Sequence, residues 1–470
     1  MIRRNASAIR RALAPLALLA ALLAGCSQVG EYKRPAAPVA DAWPDKAAAA
    51  GKRSVAQTDW RSFFPDPRLR ELIAAALEHN RDLRIAVARV EEARATYGIT
   101  RADRLPTVNG GFSRNAALTP GDLGGANASI SGQRYDISLT SISYEVDFWG
   151  RVKGLSESAR YSYLATDEAR RAMRLSLISD VANAYFYQLE MTERAELARA
   201  TVELREKTRA LVVRGRESGF ASNLDVLQAD SALESGRAEL AMTERERAAA
   251  GNALNLLIGR VPEKLPPGRS LAAQGIDADL AAGLPSDVLV SRPDVVAAEQ
   301  RLIAAHANVG AARAAFLPKI LLTASYGIAS RALTTLFLPG NVAWSYQPIL
   351  TMPLFDGGRN AGNIDVAEAR EVIAVADYEK TIQQAFREVA DLLTARSALA
   401  EQRRATEANL KVQEERLKIS QALYKGGLSS YIEVLDSQRE AYAAQQGAVQ
   451  VRRAQLVAAT QLYKALGGGE

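Results

Sequence analysis

The sequence predicts an α+β membrane protein with a two-fold internal repeat, each copy holding a strand hairpin followed by a long helical hairpin. Three observations carry this. First, Gly150 to Gly259 can be laid on Gly358 to Gly467 without a gap at a constant offset of 208: Val181 and Ala182 meet Val389 and Ala390, and Gly219 to Leu227 (GFASNLDVL) meets Gly427 to Leu435 (GLSSYIEVL). Second, each copy carries segments that alternate with a period of two. Third, each carries proline-free segments far longer than an ordinary globular helix. Repetition fixes architecture, because every copy has the same apolar faces to bury. It extends upstream, where Asp82 and Pro106 match Asp294 and Pro318 at an offset of 212.

At the N-terminus, Arg3, Arg4, Arg10 and Arg11 precede the apolar run Leu13 to Ala24. That run is too short to span a bilayer, so residues 1–25 read as a signal peptide. Cys26 is the single cysteine, which excludes a disulfide framework. A leader has no core in which a free cysteine could be buried. Leu23 to Cys26 (LAGC) resembles the lipobox of bacterial lipoproteins, which implies that Cys26 is acylated and becomes the mature N-terminus. Ser27 stands where lipoproteins held in the inner membrane usually carry Asp, which favours the outer membrane. Removing the leader takes four arginines and no acids and lowers the net charge from +6 to +2. The basic pI is thus partly a property of the leader and gives no reason to expect a nucleic-acid partner.

Residues 26–65 follow as an extended segment, with Tyr32 to Pro44 rich in proline and alanine. The first repeat, residues 66–259, opens with a helix over 66–104, whose Leu72, Ile73, Ala76, Leu83, Val87 and Val90 fall at helical spacing before Pro106. The period then becomes two, with Val108, Gly110 and Phe112 on one face. After the Gly/Asn/Ser-rich stretch 117–133, Tyr135 to Phe148 alternates again, and its apolar phase slips between Leu139 and Ile142. The slip predicts a bulge, or the place where the strand leaves the membrane zone and exposes its other face.

Arg151 to Arg214 then forms a helix of 64 residues, a rod of ~96 Å at 1.5 Å per residue. A turn at Gly215 to Ala221 reverses it, and Asn223 to Gly259 returns. Residues 260–285, with Pro262, Pro266 and Pro267, form an irregular linker between the copies. The second repeat, residues 286–467, repeats the scheme before a short tail, 468–470. Its strands present Ile320, Leu322, Ala324, Tyr326 and Ile328, then Trp344, Tyr346, Leu350, Met352 and Leu354, with aromatics on the faces that would meet lipid. Ser222 with Asp225, and Ser430 with Glu433, have capping-box spacing, so both turns are expected to restart their helices alike.

With 48% hydrophobic residues the mature chain can build a large folded body, yet no uninterrupted apolar stretch reaches the ~18 residues of a membrane helix. Four strands cannot close a barrel, and open edges are not tolerated in lipid. Chains must therefore associate: two would give eight strands, with an interior filled by side chains, and three would give twelve, which leaves a passage.

Asp59 to Phe64 (DWRSFF), Leu284 to Ser286 (LPS), Ser291 to Asp294 (SRPD), Arg313 to Pro318 (RAAFLP) and Leu462 to Gly467 (LYKALG) complete a pattern running from Cys26 to the C-terminus. The chain resembles the outer-membrane efflux factors of the TolC superfamily, in particular the OprM-like lipoproteins of the NodT branch. The resemblance implies a homotrimer with a 12-stranded β-barrel in the outer membrane, continued by a 12-helix α-barrel across the periplasm. It further implies passive conduction of drugs or other small molecules delivered by a periplasmic adaptor and an inner-membrane pump, no cofactor beyond the lipid on Cys26, and a gate at the periplasmic end.

Ile432, Asp436 and Arg439 share one helical face at i, i+4 and i+7, and in the OprM-like branch residues at these positions narrow the closed pore. Their first-copy counterparts, Leu224, Gln228 and Ser231, carry no charge, which makes the second hairpin the candidate for the moving, inner one. Without the resemblance, Asp436 and Arg439 would read as a surface ion pair. The two turns are candidate adaptor-docking points, through Arg214, Gly215, Gly219 and Ser222 in one copy and Lys425, Gly426, Gly427 and Ser430 in the other; the plainer reading is of good turn formers.

Enzymatic readings find little support. The two histidines, His79 and His306, do not align between copies, lack metal-ligand spacing and read as solvated helix residues. Acids alternating with bases along Glu401 to Lys418 mark solvated faces. Gly357, Gly358 and Gly467 to Gly469 sit at element ends without a phosphate-loop pattern. A lipid-anchored periplasmic scaffold or adaptor without a pore is the alternative function class, and it would need neither a second helical hairpin nor amphipathic strands.

Overall fold

The structure, a computed structural model, describes residues 30–44, 53–54, 58–119, 130–276, 280–281, 285, 289 and 291–468. The expected signal peptide, the acylation site Cys26, most of the 117–133 stretch and part of the linker lie outside the described residues. In chain order the elements are β1 (Arg53–Ser54), α1 (Trp60–Phe63), α2 (Pro67–His79), α3 (Arg81–Ala102), β2 (Asn109–Thr119), β3 (Ile130–Val146), α4 (Arg151–Glu217), α5 (Asn223–Ile258), β4 (Leu280–Ala281), α6 (Pro293–Ala314), β5 (Lys319–Ser330), β6 (Val342–Thr351), α7 (Arg359–Lys425) and α8 (Tyr431–Ala465). The chain divides into two compact units, residues 1–36, 90–166 and 297–378 forming one and the remainder the other.

The first unit is organised by an antiparallel sheet of order β2-β3-β5-β6. Partners across such a ladder project to the same side. Gly110, Leu139, Tyr326 and Trp344 therefore share a face with Phe112, Ile137, Ile328 and Val342, and with the pairs Ala324–Tyr346 and Ile320–Leu350. This face is apolar and exposed. Asn109, Thr140, Ser325 and Ser345 line the opposite one, as do Thr323 and Gln347. β6 ends at Thr351, so Met352 and Leu354 fall beyond the strand they were assigned to.

The phase slip is a bulge. Pairing steps from Ser141–Ala324 to Tyr144–Leu322, leaving one extra residue on β3. Ser143 takes a left-handed φ of 54°, and its amide is satisfied by the Thr323 hydroxyl at 3.1 Å. One glycine in this sheet has no alternative: a Cβ on Gly327 would collide with the Ile137 carbonyl of β3. Among the described residues β2 and β6 each pair along one side alone.

In the second unit, the helix expected over 66–104 is interrupted at Asn80. The Asn80 carboxamide accepts from the Leu83 amide at 2.9 Å and donates to the Leu257 carbonyl at 2.8 Å, so one side chain caps α3 and ties it to α5. Asp66 is fully buried and accepts from the Arg68 and Arg269 amides, the Gln274 amide nitrogen and the Tyr185 hydroxyl at 2.9–3.0 Å. Burial alone would raise its pKa, but these four donors hold it below the usual carboxylate value. Arg292, also buried, bridges Asp294 and Glu388 at 2.8 Å and donates to the Ala465 carbonyl at 2.7 Å. Near the C-terminus Tyr463 stacks on Phe63, with ring centroids 4.4 Å apart, and its hydroxyl donates to the Thr58 carbonyl at 2.8 Å.

The helical hairpins repeat as expected, α4 and α7 having 67 residues each. The parallel pair β1–β4, two residues per strand, has no sequence signal. No helix of the described residues is long and apolar enough to cross a membrane.

Candidate functional site at the hairpin tips

Both long helices end in the same backbone motif. The Gly219 amide donates to the Arg216 carbonyl and the Phe220 amide to the Gly215 carbonyl, at 3.0 and 2.8 Å; in the second copy Gly427 donates to Tyr424 and Leu428 to Leu423, at 3.0 and 2.9 Å. These are Schellman closures, which need a left-handed residue: φ is 78° at Gly219 and 73° at Gly427. α4 thus runs to Glu217, three residues beyond its expected end at Arg214, because Gly219 and not Gly215 terminates it.

The restarts differ. Ser222 and Asp225 form the complete capping box, with bonds of 3.1 and 2.8 Å. Ser430 occupies the N-cap of α8 but its side chain makes no cap hydrogen bond. The expectation of a second box fails although Glu433 is a residue the box accepts, because the Ser430 hydroxyl does not turn to the open amides.

Behind the turns lies a small core of Val212, Val226, Ala229 and Tyr431, flanked by Val213, Ala221, Tyr424 and Leu435. Tyr431 comes from α8 and seats the second hairpin on the first. Its burial pushes its pKa up to about 12. Polar bonds continue the seam: the Gln438 amide to the Thr208 hydroxyl at 3.1 Å, and Tyr442 and Gln446 to the Glu239 carboxylate at 3.4 and 3.2 Å.

Ile432, Asp436 and Arg439 are brought together on one exposed face of α8. Asp436 does not pair with Arg439. It accepts from Arg416 of α7 at 2.5 Å, across the hairpin. The pKa of Arg205 on α4 is lowered chiefly by burial and further by the like charge of Arg439, against the opposing pull of Tyr442, Tyr431 and Glu239. The first hairpin is laced by Arg199–Glu244, Arg209–Asp230 and Arg237–Glu206, with Arg205 also donating to the Ala232 carbonyl at 2.6 Å. In the second, Arg416–Asp436 and Arg452–Glu407 cross between the helices, joined by a buried Ser420–Ser437 hydroxyl bond at 2.8 Å.

Of the docking candidates, Arg214, Gly219, Lys425, Gly426, Gly427 and Ser430 are exposed, Gly215 is half-buried within α4, and Ser222 is occupied in its capping box. Sequence reasoning missed the most exposed apolar side chains of the tips, Phe220 at 92% and Leu428 at 77%. The offset of 208 placed them in register, and both hold the position after the left-handed glycine where an apolar residue usually folds back on its own helix. Behind Phe220 the helix offers Gly215, which gives no side chain to cover it.

The assignment of both histidines as solvated fails for His306, whose side chain is 22% exposed and hydrogen-bonded on both ring nitrogens. Among the described residues no His/Cys/Asp/Glu group could hold a metal ion.

The sequence family described as outer membrane efflux protein matches residues 72–260 and 284–468. The chain is 41% identical over 454 residues to outer membrane protein OprJ of Pseudomonas aeruginosa, covering 96% of this chain and 95% of that one. It is 42% identical over 456 residues to the toluene efflux pump outer membrane protein TtgI of Pseudomonas putida, covering 95% and 96%. Its fold is similar to the open state of the Neisseria gonorrhoeae MtrE outer membrane channel, with a TM-score of 0.84, 37% identity and coverage of 94% and 98%.

Proposed function

Because the chain belongs to the outer membrane efflux protein family, we propose that it is the outer-membrane channel of a tripartite efflux system, conducting drugs or other small molecules passively to the exterior. The single observation that carries this reading is the sheet: one face apolar and exposed, the other polar, and both edges open. Open edges in lipid cost several kcal/mol per unpaired backbone group. Three copies, joined β2 to β6, would remove them all and place Asn109, Thr140, Ser325 and Ser345 around a wet lumen. Acylation of Cys26 would tether each mature chain to the outer membrane.

The hairpin tips then supply gate and docking. Ile432, Asp436 and Arg439 narrow the closed pore, and the second hairpin is the part that moves. A periplasmic adaptor, itself bound to an inner-membrane pump, docks through Arg214, Gly215, Gly219 and Ser222 and through Lys425, Gly426, Gly427 and Ser430, with Phe220 and Leu428 as the apolar anchors. The relatives named for toluene and solvent efflux support small, partly apolar cargo. This component needs no catalytic centre, since the pump supplies the energy.

The test is reconstitution. Purified mature protein should run as a heat-modifiable trimer in the outer-membrane fraction and open discrete pores in planar bilayers. A monomer that stays soluble without detergent and leaves bilayers sealed would overturn the reading.

A further inference from the structure

The segment Gly30–Arg34 is fastened across α6 and α7 by two sets of contacts. Arg34 grips Glu299 of α6 with both carboxylate oxygens, at 2.6 and 2.8 Å, and the Tyr32 hydroxyl reaches the same carboxylate at 3.5 Å. At the other end of the strap, His306 of α6 bridges two acceptors: Nδ1 lies 2.7 Å from the Glu371 carboxylate of α7, and Nε2 lies 3.0 Å from the Gly30 carbonyl. The ring edge of Tyr32 closes over the imidazole at a centroid distance of 6.1 Å.

A neutral imidazole carries one N–H and one lone pair. Here both nitrogens face oxygen acceptors, so only the imidazolium satisfies both contacts; the neutral ring must set a lone pair against an oxygen. We propose that His306 is a proton-operated fastener of the N-terminal strap, which binds the strap firmly in acid and releases its Gly30 end as the pH rises.

Other charges near the ring are already paired. Arg313 on α6 opposes the imidazolium but is itself neutralised by Glu368 of α7 at 2.8 Å, and Glu299 is held by Arg34. Glu371 is the carboxylate left to the imidazole. Burial works against the charge on His306, yet the bonds to Glu371 and Gly30 outweigh it and raise the pKa above the ordinary 6.5. A raised folded-state value fixes the sign: the fastening is complete below about 6.5 and is lost as pH climbs through the raised value. The Arg34–Glu299 clamp makes its own two bonds apart from the imidazole, so the strap loosens at one end while staying attached at the other.

Hydrogen exchange of the mature protein in detergent, read by mass spectrometry and expressed as protection factors, tests this. Peptides covering residues 30–34 should lose about threefold to tenfold of their protection between acid and alkaline buffer, the range expected for one partly exposed charged hydrogen bond. His306→Gln should abolish that pH dependence, and Glu371→Gln should move its midpoint to lower pH. Peptides around Thr58 serve as a control that stays flat. A strap whose protection is independent of pH, or one that keeps its pH profile in both variants, would overturn the proposal. If H306Q does not fold, the midpoint shift in E371Q decides.

Discussion

The α4–α5 and α7–α8 hairpins share a sequence register of 208 and close with identical Schellman bonds, yet their second helices begin and bind differently. α5 starts from a full capping box and is laced to α4 by three arginine–carboxylate pairs. α8 starts from an uncapped Ser430, and its bridge nearest the tip is the half-exposed Arg416–Asp436. Duplication preserved the termination of the helix, which needs only a glycine, and let the restart and the lacing diverge. What the difference teaches is that the first hairpin is laced by charge pairs, whereas the second mixes two such pairs with neutral bonds such as the buried Ser420–Ser437 contact and is seated on the first through Tyr431.

This contrast can be broken most strongly at Tyr431. Replacing it with Ala removes the buried ring that seats α8 on α4 and α5, and should destabilise the protein by about 3 kcal/mol. The first-copy equivalent, Asn223→Ala, should cost under ~1 kcal/mol by thermal unfolding, because Asn223 is exposed. Equal losses would end the claim of asymmetry.

Next come the glycines that end both long helices. Gly219→Val and Gly427→Val should each cost about 1–2 kcal/mol from the left-handed conformation alone, since a Cβ at either site meets open space. Both changes should weaken cross-linking to the adaptor. Retained cross-linking would return these residues to the role of plain turn formers.

The restarts give the sharpest contrast at smaller energy. Ser222→Ala should lose about 1 kcal/mol, and Ser430→Ala only a few tenths, because no side-chain cap bond exists there to be lost. Equal costs in denaturant titrations would mean that Ser430 caps α8 after all.

Smallest in stability and largest in consequence for transport is the exposed bridge. Asp436→Ala with Arg439→Ala should change stability by under ~1 kcal/mol while raising leak conductance in planar bilayers. The pair Gln228→Ala and Ser231→Ala should leave conductance unchanged. A leak from the first hairpin, or none from the second, would reverse which arm is the gate.

Much of this was legible in the chain itself. The repeat, the strand faces, the bulge beside Ile142 and the box at Ser222 all follow from local pattern, because period, glycine and capping residues act within a few positions. The break at Asn80 was invisible since its carboxamide bonds Leu257, 177 residues away. Distance also hid the role of His306, whose partners are Gly30 and Glu371. Ser430 shows the converse failure: the right spacing was present and the bond was not formed. Phe220 and Leu428 could have been found, because two bulky apolar residues superposed beside aligned glycines are a poor fit to a merely solvated turn.

Tyr463 belongs to α8, yet it roofs Phe63 of α1 and holds the carbonyl of Thr58. The two ends of that hydrogen bond are 405 residues apart in the chain, so this aromatic shell closes only once α8 has packed. A chain in which α8 is undocked leaves the Phe63 ring without its stacking partner.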